Sequence, residues 1–260
     1  MPVNLRPILA PVLPNSLKRL HESWSNRRFV SAVNALTREY LARNDPIVRH
    51  GPFAGLRYLP EAASLGKLVG AYEREVQAAV EELIAAAPDT VIDVGCAEGY
   101  YAVGLARRLP RAAVYAFDVD QRARRLCAEM ARLNGVAERV RIEGRCSTER
   151  LGQFSDAARV VLLLDCEGCE LDLLRPDLVP SLRRWAILVE LHEFLHPDAW
   201  RTIGERFEKT HGLELIEEAP DGSEIPELKA LRPKKRRLAL DEHRPAQMRW
   251  ALLRPQSEMG

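Results

Sequence analysis

The chain has 260 residues, 47% of them hydrophobic, and its 38 basic against 37 acidic residues leave a formal net charge of +1. That length suits one α/β domain with an extension or two small domains, and the apolar share excludes a disordered chain. So even a charge balance gives no long-range pull toward nucleic acid or an anionic membrane, and neither is an expected partner.

In chain order, residues 1–20 are proline-rich and read as extended, and the start MPVNLRPILAPVLP lacks the regions of a secretory signal. From Ser16 to about Asn44, Leu17, Leu20, Trp24, Val30, Val33, Leu36, Tyr40 and Leu41 recur at helical spacing until Pro46. Residues 49–67, rich in Gly, Pro and aromatics, read as an ordered loop; GAYEREVQAAVEELIAAA, over about 68–87, reads as a second helix. Strands and helices then alternate. The strands are TVIDVG, AVYAFDV, RVRIEG, VVLLLDC and AILVELH, and the helices YYAVGLARRL, QRARRLCAEMARLNG, a proline-broken LDLLRPDLVPSLRR and PDAWRTIGERFEKTHG, the last ending in glycine. LELIEEA and MRWALLRP follow as a final strand pair, one of them antiparallel, joined by a long polar connection without a helix. The pattern predicts an α/β fold: a Rossmann-like, seven-stranded, mostly parallel sheet with helices on both faces, plus an N-terminal helical extension. No apolar run approaches the ~20 residues that span a bilayer. The five cysteines are Cys96, Cys127, Cys146, Cys166 and Cys169. Their odd number, with no secretory signal, argues against a disulfide framework and makes a reducing cytoplasm the expected compartment.

The turn after the first of these strands carries the strongest functional signal. VIDVGCAEGY ends a buried strand at Asp93 and Gly95 and turns into a helix through Gly95-Cys96-Ala97-Glu98-Gly99. Glycines there permit a sharp turn and close approach of a ligand, and the crevice beyond parallel strand ends is where such sheets bind. The spacing is G-x-x-x-G, not the dinucleotide G-x-G-x-x-G, and Glu98 is expected to aim a carboxylate where a pyrophosphate would sit. That disfavours NAD(P) and suits a cationic or zwitterionic ligand. Asp118, about 20 residues on at the next strand end, is placed to accept from ribose hydroxyls, with Asp120 as the alternative.

VIDVGCAEGYYAVGLA, AFDVD, LLLDCEGCELDLL and LVELH resemble successive motifs of class I S-adenosylmethionine-dependent methyltransferases, specifically the FkbM-like family, with Asp165-Cys-Glu167-Gly-Cys-Glu170 the most family-specific element. The resemblance covers about 68–255. It implies S-adenosylmethionine as methyl donor, a methionine-side pocket of Asp93, Gly95, Cys96, Ala97, Glu98 and Gly99, and Asp118 on the ribose. It also implies that Arg145, Cys146 and Ser147 lie near the adenine, and it includes Tyr72-Glu73, where the family often has an acidic residue. The chain then divides into 1–67, a helical extension with its Gly-Pro-Phe loop, and 68–260, the methyltransferase domain. The Cys-Ala-Glu of the glycine turn departs from the family's frequent Asn-containing sequence, which weakens transfer of a subfamily's substrate.

At the reacting centre, a hydroxyl acceptor needs a proton acceptor or a metal. Candidates at the fourth and fifth strand ends are Asp165, Glu167, Glu170, Glu190, His192 and Glu193. His192 is the preferred base, because imidazole titrates near neutrality. Asp165 is placed to hold the donor's amino group or the acceptor. Glu167 joins the catalytic set and Glu170 the acceptor's contacts, although either carboxylate also suits capping of the following helix. Asp165, Glu190 and His192 offer hard ligands for Mg²⁺, but no spacing demands a metal and none is predicted. Cys166-x-x-Cys169 resembles half of a zinc site without a second pair. His50 to Tyr58, HGPFAGLRY, read as a lid working through Phe53, Arg57 and Tyr58, the alternative being a loop packed for its own sake. Residues 232–237, RPKKRR, read as a solvated loop rather than an RNA contact. The function expected is O-methylation of a small-molecule or sugar-like hydroxyl. Methylation of RNA or protein, or an NAD(P)-dependent oxidoreductase, is the alternative, and a homodimer is left open.

Overall fold

The computed structural model describes residues 15–218, 222, 224–242, 244, 246 and 248–256, with side chains from Arg28 onward. Most of the proline-rich start, 1–14, lies outside these residues. Helix α1 (Asn15–Leu41) leads into the loop 42–64 and a single turn, α2 (Leu65–Leu68). The expected helix over 68–87 is shorter than its apolar pattern suggested. Gly70 has φ +74°, and a side chain there would meet the His50 carbonyl oxygen at 2.2 Å. Glu73 is also left-handed, at φ 46°. The chain therefore turns twice before α3 (Gln77–Ala85) begins.

From β1 (Thr90–Val94) the alternation runs through α4 (Tyr100–Arg108), β2 (Ala113–Phe117), α5 (Gln121–Leu133), β3 (Val140–Glu143), α6 (Thr148–Gly152), β4 (Val160–Leu164), α7 (Glu170–Leu173), β5 (Ala186–Leu191), α8 (Ala199–Phe207) and β6 (His211–Ile216). α9 (Pro226–Lys229), α10 (Pro233–Leu240) and β7 (Arg249–Pro255) complete it. The seven strands form one sheet in the order β3-β2-β1-β4-β5-β7-β6. β7 is antiparallel to both neighbours and wedged between β5 and β6.

β1 and β4 are buried at all five positions each. A strand covered on both faces cannot spare a polar side, which is why these two lack alternation in sequence. Val91, Leu188 and Trp250 face a core shared with α3, α4 and α5, whereas Ile92, Val189 and Ala251 face α8 and Trp185. A third, smaller core joins Leu36 of α1 to Leu65, Val69, Leu228 and Ala239.

Two expectations near the C-terminal end change. The connection between β6 and β7 contains α9 and α10, so the basic run lies on a helix that Pro233 opens, not in a solvated loop. There Arg236 donates to the carbonyls of Leu228 and Lys229, and Lys235 pairs with Glu39 of α1 at 2.5 Å. The glycine expected to end the helix before β6 is Gly212, which lies within β6 itself; that helix stops at Phe207. Among the described residues no helix is long and apolar enough to cross a membrane.

Candidate active site at the carboxyl edge of the sheet

Register brings the site together. Val94 lies opposite both Phe117 and Leu164, and Leu164 opposite Val189. The next residues, Gly95, Asp118, Asp165 and Glu190, therefore emerge side by side at one edge. The strand order reverses between β1 and β4, the switch point at which such sheets open a crevice. Gly95 is at φ +92°, and a Cβ on it would sit 1.7 Å from the Asp165 carbonyl oxygen. Only glycine fits that approach. The turn is held by the Gly95 and Cys96 amides donating to the Phe117 carbonyl at 2.8 and 3.0 Å. Ala97 (φ 45°) and Gly99 (φ 95°) complete it.

A cavity of about 670 Å³ opens there. Val94, Phe117, Val119, Ala123 and Cys146 supply its apolar wall. Among the described residues its charged lining is Asp118, Asp120, Asp165, Glu167 and Asp172 against Arg145 alone. Such a lining repels a pyrophosphate and attracts a cationic ligand. Asp118 is held rigidly: one carboxylate oxygen accepts from the Ala97 amide at 2.9 Å, the other from the Asp120 amide at 2.8 Å. Each oxygen keeps a further lone pair. Asp120 caps α5 by accepting from the Arg122 amide at 2.8 Å.

A second pocket of about 320 Å³ adjoins the first, with Asp165 and Glu167 lining both. Tyr72, Glu73, Glu190, His192, Phe194, Glu242, Arg244 and Met248 complete its lining. His192 is buried, with Nδ1 2.7 Å from Glu170 Oε1. Its Nε2 faces Glu190 Oε2 at 3.6 Å and Asp165 Oδ1 at 3.7 Å. Burial disfavours the imidazolium, but the Glu170 contact and the surrounding carboxylates outweigh it and raise the His192 pKa. Burial, then the charge of Asp165, push Glu190 strongly up. Glu73, which accepts from the Tyr101 hydroxyl, is pushed up to about 8 by burial and by Asp165 and Glu242. Arg244 lies 2.8 Å from both Glu75 and Glu242.

Several expected residues sit elsewhere. Glu98 does not face the cavity; it turns outward from the turn to Lys67 and the Tyr58 hydroxyl. Burial pushes Glu98 up, yet the Lys67 ammonium and the two hydrogen bonds more than reverse it, leaving the carboxylate ionised. The loop expected as a lid is packed down. Phe53 is 2% exposed and meets Tyr100 and Tyr101 edge-on, Tyr58 is buried on Glu98, and Arg57 shares two backbone hydrogen bonds with Asn134. None of the three lines either pocket. Asp93 and Cys96 are buried beneath the turn, and Ser147 caps α6 instead of entering the cavity. Gly99 packs against Cys127 and Val103. Tyr72 and Glu73 belong to the second pocket, not the first. Glu170 lies under His192, neither exposed to an acceptor nor serving only as a helix cap, and Glu193 pairs with Arg249 at 2.6 Å. Sequence reasoning missed Asp172, Phe194, Glu242, Arg244 and Met248. Glu242 and Arg244 sit in an aperiodic segment that offers no pattern to read, and Met248 opens the last predicted strand without carrying a chemical signal.

The cysteines bring one correction. Cys166 and Cys169 are joined as a disulfide across the turn that lines the larger cavity, where no disulfide was expected. The two-residue spacing brings their Cα atoms to 5.6 Å, within bridging range. Cys96, Cys127 and Cys146 are free.

Residues 75–155, from the turn before α3 through β3 to α6, match the family model described as the methyltransferase small domain. The fold is a Rossmann-like methyltransferase fold. The match supports an S-adenosylmethionine-dependent methyltransferase, while the narrower FkbM-like subfamily finds no counterpart in it. No curated protein matches the sequence. Solved structures similar to this methyltransferase fold include an rRNA methylase from Streptococcus thermophilus (TM-score 0.49, 13% identity, 72% of this chain and 99% of that one). Another is precorrin-6y C5,15-methyltransferase from Geobacter metallireducens (0.47, 12%, 70% and 89%). A third is geranyl diphosphate methyltransferase in complex with SAM (0.43, 13%, 74% and 89%).

Proposed function

We propose that the protein transfers a methyl group from S-adenosylmethionine to a hydroxyl of a small-molecule or sugar-like acceptor. The observation that carries this reading is the charge of the larger cavity, five carboxylates against one guanidinium, at the switch point behind a glycine turn. A ligand with an ammonium and a sulfonium suits it; a dinucleotide does not. In this reading Asp118, clamped by two amides, accepts from the ribose hydroxyls, and Gly95 and Ala97 let the methionine end approach the backbone. Arg145 and Cys146 border the adenine end. Asp165, shared by both pockets, aligns donor and acceptor. The reading for a hydroxyl rests on the smaller pocket, where His192, Glu190 and Asp165 gather proton-accepting groups beside the junction with the larger cavity. FkbM-like kinship is part of the proposal and rests on the Asp165-to-Glu170 motif.

Calorimetric titration tests the donor. S-adenosylhomocysteine is expected to bind and NADH not, and Asp118→Ala to weaken the former by about 10- to 100-fold, the scale of hydrogen bonds donated to a charged acceptor. Tight NADH binding without S-adenosylhomocysteine binding would refute the assignment.

A further inference from the structure

The smaller pocket holds a charge pattern that proton acceptance alone does not account for. Among the described residues, five carboxylates line it, from Glu73, Asp165, Glu167, Glu190 and Glu242, with Arg244 and His192 as the basic groups. Arg244 is committed at 2.8 Å to Glu75 and to Glu242. Within the pocket, one carboxylate oxygen each from Asp165 and Glu190 and one nitrogen of His192 lie within 4.8 Å of one another.

The imidazole supplies a second, independent observation. His192 is buried, its side chain 3% exposed. Its Nδ1 lies 2.7 Å from Glu170 Oε1, a contact between charged groups without hydrogen-bond geometry; Glu170 is itself 3% exposed and accepts from the Gly168 amide at 3.1 Å. With Nδ1 on the Glu170 side, the other nitrogen, Nε2, points toward Asp165 and Glu190. At 3.7 and 3.6 Å it reaches neither, since hydrogen bonds of this kind close at about 2.7–3.2 Å. A proton shared along these lines would draw the atoms closer. A cation bound at about 2.0–2.2 Å from each ligand instead holds neighbouring ligand atoms about 3.0–3.6 Å apart, which is the spacing approached here. A carboxylate behind the far nitrogen of a ligating histidine is also the usual support of a metal site, because it fixes the tautomer and strengthens the donor.

We propose that Asp165, Glu190 and His192 form a divalent metal site, supported from behind by Glu170 and opening into the pocket beside the donor cavity. Two oxygens and one imidazole suit Mn²⁺ or a similar first-row ion better than a soft-ligand metal. Open coordination positions would take an acceptor through oxygen. That part of the inference rests on the methyltransferase reading; the ion site does not. Bound there, the ion lowers the pKa of a ligating hydroxyl, so that the acceptor's proton leaves more readily.

The test is titration of the full chain with Mn²⁺, followed by the loss of the free-ion electron paramagnetic resonance signal, in parallel with calorimetry of S-adenosylhomocysteine. One Mn²⁺ per chain is expected. Glu190→Gln and Glu170→Gln are each expected to weaken it by about 10- to 100-fold, the second through His192 alone. S-adenosylhomocysteine affinity should change little in either, because neither residue lines the larger cavity. If folded wild-type protein leaves Mn²⁺ free at millimolar concentration, or if both variants bind it as well as wild type, the metal site is wrong. Mn²⁺ binding without S-adenosylhomocysteine binding would support the site and overturn the donor reading, and the reverse would do the opposite.

Discussion

Gly95 concentrates the constraints of the site in one residue. Its left-handed backbone and the 1.7 Å approach to the Asp165 carbonyl leave no room for a methyl group. Gly95→Ala is expected to cost at least about 3 kcal/mol, combining left-handed strain with the clash. Gly144 has nothing within 4 Å of where a Cβ would sit, so Gly144→Ala should shift stability by only about 0.5 kcal/mol. Urea unfolding of both variants makes the comparison, and equal losses would show that the approach to Asp165 is not what constrains the turn. At this scale the sequence was readable where backbone dictates residue type, as at Gly95 and Asp118. It was misleading at Glu98, because Lys67 and Tyr58, which claim the carboxylate, lie far away in sequence and only the fold brings them near.

Among the elements, the turn between β4 and α7 decides most about the site. It carries Asp165 and Glu167 into both pockets, and its Cys166–Cys169 bond closes it on itself. Protein purified without reductant and denatured is expected to alkylate at three thiols, Cys96, Cys127 and Cys146, and at all five only after reduction. Mass spectrometry counts them, and five labels without reductant would remove the bridge. An odd cysteine count argued against a disulfide framework, but it says nothing about one pair three positions apart in a tight turn. Strands were more legible than helices. β4 declared itself by an unbroken apolar run and β1 by a β-branched one interrupted at Asp93, whereas the helical periodicity over 68–87 concealed the left-handed residues Gly70 and Glu73. The loop through Phe53 was readable as ordered, but the choice between a lid and a packed loop was not, since its partners are the α4 tyrosines.

For the molecule as a whole, the buried carboxyl of Asp93 links stability to pH. Burial first and the charge of Asp165 second push it up to about 7, from 3.8 in the unfolded chain. Between those values the folded chain holds a proton that the unfolded chain has released. Its contribution is therefore greatest at low pH and declines as pH rises toward and through 7. Glu73, raised to about 8, acts in the same direction. Asp93→Asn, neutral at every pH, is expected to lessen the decline between pH 5 and 8 in urea unfolding. A slope as steep as that of wild type would show that Asp93 is not its source.

The wedged position of β7 bears on how the chain reaches this state. β6 precedes β7 in sequence but touches the sheet only through it. During synthesis, β1 to β5 can assemble while β6 waits without a partner and β5 presents a bare edge. An exposed edge of that kind invites pairing with other chains. The hazard lasts until residues 249–255 leave the ribosome and slot in between, so the last-made strand is also the one that seals the sheet.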